Sequence, residues 1–339
     1  MSLLRCSLLL ASHCAVASAS TQYNDIGDNN SPFVFPVAPL PPRAPTDLLS
    51  NVFGEHMVLQ AGAPIEVWGF APPNAVVTVS LRGVNNATAV ASPGGTWRVT
   101  LGAEAAGGPF SLSASSSAGA ATNFVDVFVG TVILCSGQSN LSGDTTPVSY
   151  AFNATETIAE AASFPFVRVL KVGELGTPGA VPPLAQLAFP PKIPWSVAAP
   201  ASVASFSATC WMAAKELART LGPAHPLGLI ESAWSGTCIQ AWISADALPA
   251  CGVPPPAQPP MNANSTLFNQ MIAPFGGFAV AGVIWYQVRL RGSRRPHVRT
   301  FLTPHPPPPS PTPSRAARAN RMQSLIIPRK TTTRARSPY

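Results

Sequence analysis

Four unbroken apolar residues, Val132-Ile133-Leu134-Cys135, run straight into Ser136-Gly137-Gln138-Ser139-Asn140, where every residue is a small or polar turn former. An apolar run this short, with no polar alternation, is how a strand covered on both faces of a parallel sheet reads. Its abrupt end places Ser139 just past the strand's carboxyl end, in the crevice where α/β folds carry out chemistry. A serine hydroxyl there can face a ligand while nearby backbone N–H groups point into the same space.

Two more segments repeat the pattern. Pro226-Leu-Gly-Leu-Ile230 reads as a strand followed by the turn Glu231-Ser-Ala-Trp-Ser-Gly-Thr237, and Val280 to Gln287 reads as another buried strand. Phe164 to Leu170 adds a strand. Phe206 to Leu221 has helical spacing at Cys210, Trp211, Ala214, Leu217, Ala218 and Leu221, and Gly222-Pro223 ends it. Leu267 to Phe275 reads as a short helix. Strands separated by helices predict a parallel, doubly wound sheet. If the strands are parallel, the turns at Ser139, Ser235-Gly236 and Gln287 meet at one edge. Acyl transfer needs a nucleophile and two or three donors around the developing oxyanion. Ser139 fits the first role, and the backbone N–H groups of Ser139 and Gly236 with the Gln287 amide fit the second. Gln138, Asn140 and Trp234 stand beside them as candidate substrate-binding residues.

Residues 51–128 have another character. Ile65-Glu-Val-Trp-Gly, Val76 to Leu81, Thr96 to Leu101 and Phe110-Ser-Leu-Ser-Ala are short β-type segments divided by Gly- or Pro-rich turns, the pattern of a small β-sandwich. Trp68 and Trp97 are expected in its core rather than as sugar platforms. Residues 20–50, with Pro36, Pro39, Pro41, Pro42 and Pro45, read as a linker.

The net charge of +7 suggests nucleic acid until its distribution is read. Residues 288–339 hold 12 of the 21 basic residues and none of the 14 acidic ones, leaving 9 against 14, a net of −5, in residues 1–287. The globular part is mildly acidic, so no nucleic-acid partner is expected. The tail also holds ten prolines and is expected to be disordered. The N-terminus reads as a signal peptide over residues 1–19, with Arg5, the apolar Leu8-Leu9-Leu10-Ala11 and A-x-A sites ending at Ala17 and Ala19. No stretch supplies the ~20 apolar residues of a membrane span. Secretion or delivery to a lysosomal or endomembrane lumen is therefore expected. Cleavage would leave Cys135, Cys210, Cys238 and Cys251, whose pairing is open. No metal site and no cofactor are expected. Sequons stand at Asn29, Asn86, Asn140, Asn153 and Asn264; a glycan at Asn140 would block the turn, so that one is expected to stay bare.

The motifs together resemble the sialate O-acetylesterase family of SGNH-type carbohydrate esterases. That family shows GQSN, FSAVCW, PIGLI-x-SSWGGT-x-IEAW, ACGV and GVIWYQGESN. This chain has, in the same order, Gly137 to Asn140, Phe206 to Trp211, Pro226 to Trp242, Ala250 to Val253 and Gly282 to Gln287. Met57-Val-Leu-Gln60 and Val125 to Gly130 resemble the family's β domain. The resemblance covers about 50–287 and implies an N-terminal β-sandwich (51–128) followed by a partial SGNH parallel-sheet α/β hydrolase domain (129–287). It implies removal of O-acetyl groups from sialic acid or polysaccharide, with Ser139 as nucleophile and Gly236 and Gln287 in the oxyanion hole. The substrate would be an O-acetylated sugar or glycan.

Four departures matter. Leu141 replaces the usual Met, Ser235 replaces the first Gly of GG, and Gln240 replaces Glu. After Gln287 the family's GESN and its distal Asp-x-x-His, which supplies the general base, are missing. The histidines are His13, His56, His225, His297 and His305, and none follows an Asp at that spacing. A neutral serine without a base is a poor nucleophile, so the chain is expected to be almost inactive. The alternative is a catalytically dead, secreted carbohydrate-binding protein. Because the match stops at Gln287 and Val288-Arg289 can be spelled as a splice donor, residues 288–339 are read as a gene-model artefact.

Overall fold

The computed structural model describes residues 33–34, 47–174, 182–251, 260–287 and 298–302. Backbone contacts divide the chain into 1–303 and 304–339, and every described residue lies in the first unit. The segments expected as signal peptide, most of the linker and most of the tail lie outside the described residues.

The N-terminal strands are β1 (Phe33–Val34), β2 (Val58–Gln60), β3 (Ile65–Phe70), β4 (Val76–Leu81), β5 (Asn85–Val90), β6 (Thr96–Leu101) and β7 (Gly107–Ser116). β3 pairs with β6, and β4 lies antiparallel between β5 and β7. β4 and β6 bury alternate residues, as a half-exposed sheet requires. Val67, Trp68, Trp97 and Val99 from the first pair share one apolar cluster with Val77, Val79, Leu81 and Leu112 from the second sheet. Trp68 is fully buried, and its Nε1 donates to the Ala185 carbonyl at 2.9 Å, so the ring's one polar atom is satisfied.

The strand that organises the rest is β8 (Ala121–Gly137), 17 residues long. Its first half pairs antiparallel with β7 and parallel with β2. Its second half is the apolar run of the sequence, and it crosses the boundary expected at 128/129 without a break. There it lies parallel to β11 (Leu227–Ala233) and β13 (Gly282–Tyr286), and β11 lies parallel to β9 (Val167–Lys171). The fully parallel sheet expected from sequence is mixed at its edges. β10 (Ile193–Val197) runs antiparallel to β9, and β14 (Val298–Leu302) runs antiparallel to β13. Val298-Arg-Thr-Phe-Leu302 is rich in β-formers, which favours the edge strand that these five residues of the stretch expected to be disordered make. The predicted strand 280–287 is broken at Ala281: β12 (Ala279–Val280) pairs with β1, and only β13 joins the main sheet.

Both faces of this sheet are covered, and the side chains alternate between them. Val132 and Leu134 belong to the cluster shared with the N-terminal strands. Ile133 and Cys135 face the other way, with Leu229, Trp211 and Ala214. The last two lie on α3 (Ala208–Leu221), which starts where Ser207 Oγ accepts the Cys210 N–H at 3.1 Å. Cys135 and Cys210, left open by the sequence, form a disulfide across this sheet–helix contact. Two shorter helices, α1 (Ala154–Glu160) and α2 (Pro200–Val203), precede it. The helix expected at 267–275 is a π-helical turn, Phe268–Ile272, followed by a 3₁₀ turn, Ala273–Phe275, with Pro274 inside. Proline has no N–H for the i→i−4 ladder, so a regular α-helix cannot run through it. No helix among the described residues is long and apolar enough to cross a membrane.

Candidate active site

The register fixes where the three turns emerge. Ser136 stands opposite Ser232 and Trp285, and Gly137 opposite Ala233 and Tyr286. Three adjacent parallel strands therefore end level, with β8 in the middle. Gln138, Trp234 and Gln287 are the first residues out of each. The last rung is laced by Gln138 N–H to the Tyr286 carbonyl and Trp234 N–H to the Gly137 carbonyl, both 3.2 Å. Gly137 has φ +146°, and a Cβ there would sit 2.1 Å from the Tyr286 carbonyl oxygen. Only glycine lets β13 approach this closely.

Ser139 lies half-buried on the tight turn that follows. Its carbonyl accepts bonds from Thr145 Oγ1 (3.1 Å) and Thr146 Oγ1 (2.9 Å), and the Gln138 carbonyl accepts the N–H groups of Leu141 (2.8 Å) and Ser142 (2.9 Å). The turn is thus held through its backbone. Among the described residues none hydrogen-bonds the Ser139 hydroxyl.

On the β11 side, Gly236 is exposed with φ +70°, and its carbonyl accepts Asn262 Nδ2 at 3.1 Å. Gln287 is half-buried, and its Nε2 donates to the Thr237 carbonyl at 2.8 Å. That bond uses one of the two amide hydrogens and fixes the side chain against the Gly236 turn. Gln138 is buried, whereas Asn140 and Trp234 are half-buried. The Asn140 carbonyl is held by Thr209 Oγ1 at 3.0 Å.

Sequence reasoning missed Glu174. Its Oε1 accepts the Ser235 N–H (2.8 Å), the Ser235 hydroxyl (2.6 Å) and the Ser142 hydroxyl (3.0 Å). The Ser235 hydroxyl also lies 2.7 Å from Thr145 Oγ1. Ser235 therefore clamps the β8 turn to the β11 turn through one carboxylate, and its N–H is committed to Glu174. The side chain that departs from the family's glycine has acquired a local partner.

Beneath the turns lies a buried charge cluster, also missed. Glu231, 1 % exposed, accepts the Gly143 N–H (2.7 Å) and the Ser207 N–H (2.8 Å) on its two oxygens. Lys171 Nζ is 3.9 Å from Glu231, 2.9 Å from Asp144, and donates to the Ser205 carbonyl at 2.6 Å. Asp144 also pairs with Lys192 and accepts the Glu174 N–H at 3.0 Å. Burial pushes the Glu231 carboxyl up to about 7, against the pull of Lys171 and of the two backbone N–H groups. Burial acts upward on Asp144 too, but its bonds to Lys192, Lys171 and Glu174 hold it below the usual carboxylate range. The available signal was the charge inside two strands that otherwise read as fully buried, Glu231 in β11 and Arg168 and Lys171 in β9, since an unpaired charge cannot be left there.

Neither described histidine reaches Ser139. His225 Nε2 lies 2.9 Å from Thr131 Oγ1, at the amino ends of the parallel strands. Six residues of strand at about 3.3 Å each separate Thr131 from Gly137, roughly 20 Å. His56 pairs with Asp126 at 2.6 Å, farther down β8. His13, His297 and His305 lie outside the described residues.

The chain is 36 % identical over 261 aligned residues to sialate O-acetylesterase of Homo sapiens and 33 % identical over 287 to that of Mus musculus, matching in each case over 70 % of its own length. Over that 70 % the chain is a homologue of the sialate O-acetylesterases. It spans about half the length of these curated relatives, 48 % and 51 % respectively. Among solved structures, a carbohydrate acetylesterase from Xanthomonas citri superposes with a TM-score of 0.61 at 35 % identity, covering 72 % of this chain and 51 % of that one. No family profile matches the chain.

Proposed function

We propose that this sialate O-acetylesterase homologue carries an O-acetyl-sugar esterase site, built from a β-sandwich (51–128) and a partial SGNH-type domain (129–287), and acts in the secretory lumen. The observation that supports the reading is the level ending of β8, β11 and β13, just beyond which come Ser139, Gly236 and Gln287. The Ser139 hydroxyl attacks the acetyl carbonyl, and the sugar oxygen leaves with a proton. The carbonyl oxygen, negative in the tetrahedral intermediate, takes hydrogen bonds from the Ser139 and Gly236 N–H groups and the remaining Gln287 amide hydrogen. Water then releases acetate and restores the serine. Gln138, Asn140 and Trp234 border the sugar side.

Two proton transfers in this cycle need a base, and no described histidine is placed to provide one. Loss of the triad histidine costs on the order of 10⁶-fold in kcat in a serine hydrolase. Turnover by this chain is accordingly very slow. The test is acetate release from a 9-O-acetylated sialic acid and from acetylated polysaccharide, alongside binding of the same sugars. Slow release that Ser139→Ala abolishes supports the esterase reading. Binding that survives Ser139→Ala, with no acetate released above buffer, contradicts it and favours a carbohydrate-binding protein.

A further inference from the structure

Two of the most exposed large apolar side chains of the described residues sit two positions apart in the sequence. Phe152 is 90 % exposed and Tyr150 80 %, just ahead of α1. They lie one and three positions before Asn153, the first residue of the sequon Asn153-Ala154-Thr155. Asn153 caps α1 in the left-handed conformation, φ 56° and ψ 40°, and its side chain makes no capping hydrogen bond. The helix start is served by its backbone carbonyl, which accepts the Thr157 N–H at 3.0 Å. An N-cap asparagine ordinarily spends its side chain on the helix's first N–H groups. Here the side chain has no such duty, and Asn153 and Thr155 are both exposed.

The other described sequons differ. Asn140 is half-buried in the Ser139 turn, and Asn264 has its Oδ1 buried. Asn86 is exposed on the edge strand β5, but no aromatic residue stands within three positions of it.

We propose that Asn153 carries an N-linked glycan whose first N-acetylglucosamine packs its apolar face on the Phe152 and Tyr150 rings. A pyranose presents C–H groups on one face and hydroxyls at its rim, and an aromatic ring with a wet edge is its complement. Packing the two together removes apolar surface from water at a place where no described residue covers it. The inference rests on the lumenal reading above, since the modification occurs only there.

The full chain is produced in a eukaryotic host with its own N-terminus and, separately, behind an appended secretion leader. Peptide mass spectrometry after PNGase F digestion in heavy-oxygen water then reads each sequon. Asn153 is expected to be occupied in the leader form. Asn86 occupied with Asn153 bare, or no occupancy at Asn153 behind the leader, overturns the site. Occupancy behind the leader alone supports the site and contradicts the lumenal reading instead. For the stacking, Endo H, which leaves the first sugar, is expected to keep the Tm, and PNGase F to lower it by about 2 °C. The double variant Phe152→Ala/Tyr150→Ala abolishes that difference. Equal Tm after the two digests, or a difference that survives in the double variant, overturns the stacked arrangement.

Discussion

Glu231 ties the Ser139 turn to the start of α3, because its two oxygens hold one N–H from each. The price of burying that carboxylate is a pKa raised by burial to about 7. A carboxyl that holds its proton more tightly folded than unfolded stabilises the fold below its unfolded value of 4.5, and that contribution is lost as pH rises through about 7. Its size is roughly 3 kcal/mol across that window. Asp144, held low by its lysines, titrates beneath the window and has the opposite sign. Urea melts between pH 4.5 and 8 should therefore show stability falling toward neutrality, and Glu231→Gln should flatten the profile. An unchanged slope in Glu231→Gln would remove the carboxyl from the account. The turns that hold Ser139, Gly236 and Gln287 were legible in the sequence because each follows a short apolar run. Glu174 was not, because nothing in the sequence says that its strand's loop folds back over Ser235.

At the scale of elements, the closeness of β8 and β13 depends on Gly137. Gly137→Ala adds a methyl within 2.1 Å of the Tyr286 carbonyl, on a backbone with φ +146°. Gly62→Ala is the matched control, since Gly62 has φ +72° and nothing within 4 Å of an added Cβ. Denaturant unfolding should show about 1 kcal/mol lost at Gly62 and 3 kcal/mol or more at Gly137. Equal losses would mean that the tight rung between the two turns is not a constraint. The strands flanking the site could be read from unbroken apolar runs. β5, Asn85–Val90, could not, because Asn-Asn-Ala-Thr-Ala-Val has neither a buried run nor a clean alternation, and its half-exposed pattern comes from lying at an edge. The Cys135–Cys210 pairing was equally hidden. It follows from which face of β8 meets α3, a fact of tertiary packing that spacing does not encode.

At the scale of the whole molecule, one strand joins both halves. The N-terminal strands bury their cores against the sheet face that carries Val132 and Leu134, while α3 covers the face that carries Ile133 and Cys135. The proposed site stands at the far end of that strand, remote from His56 and His225, and in that reading Ser139 is the nucleophile with no described histidine placed as its base. In this reading a small diffusible base can act on Ser139, because Ser139 is half-exposed and no described residue binds its hydroxyl. The most direct measurement is acetate release from a 9-O-acetylated sialic acid as imidazole is added, with wild type and Ser139→Ala side by side. The account predicts a rate that climbs with imidazole in the wild type and follows the protein-free control in Ser139→Ala. Identical imidazole dependence in both proteins would contradict it, and so would a wild-type rate already in the ordinary enzymatic range of about 1–10³ s⁻¹ with no imidazole present.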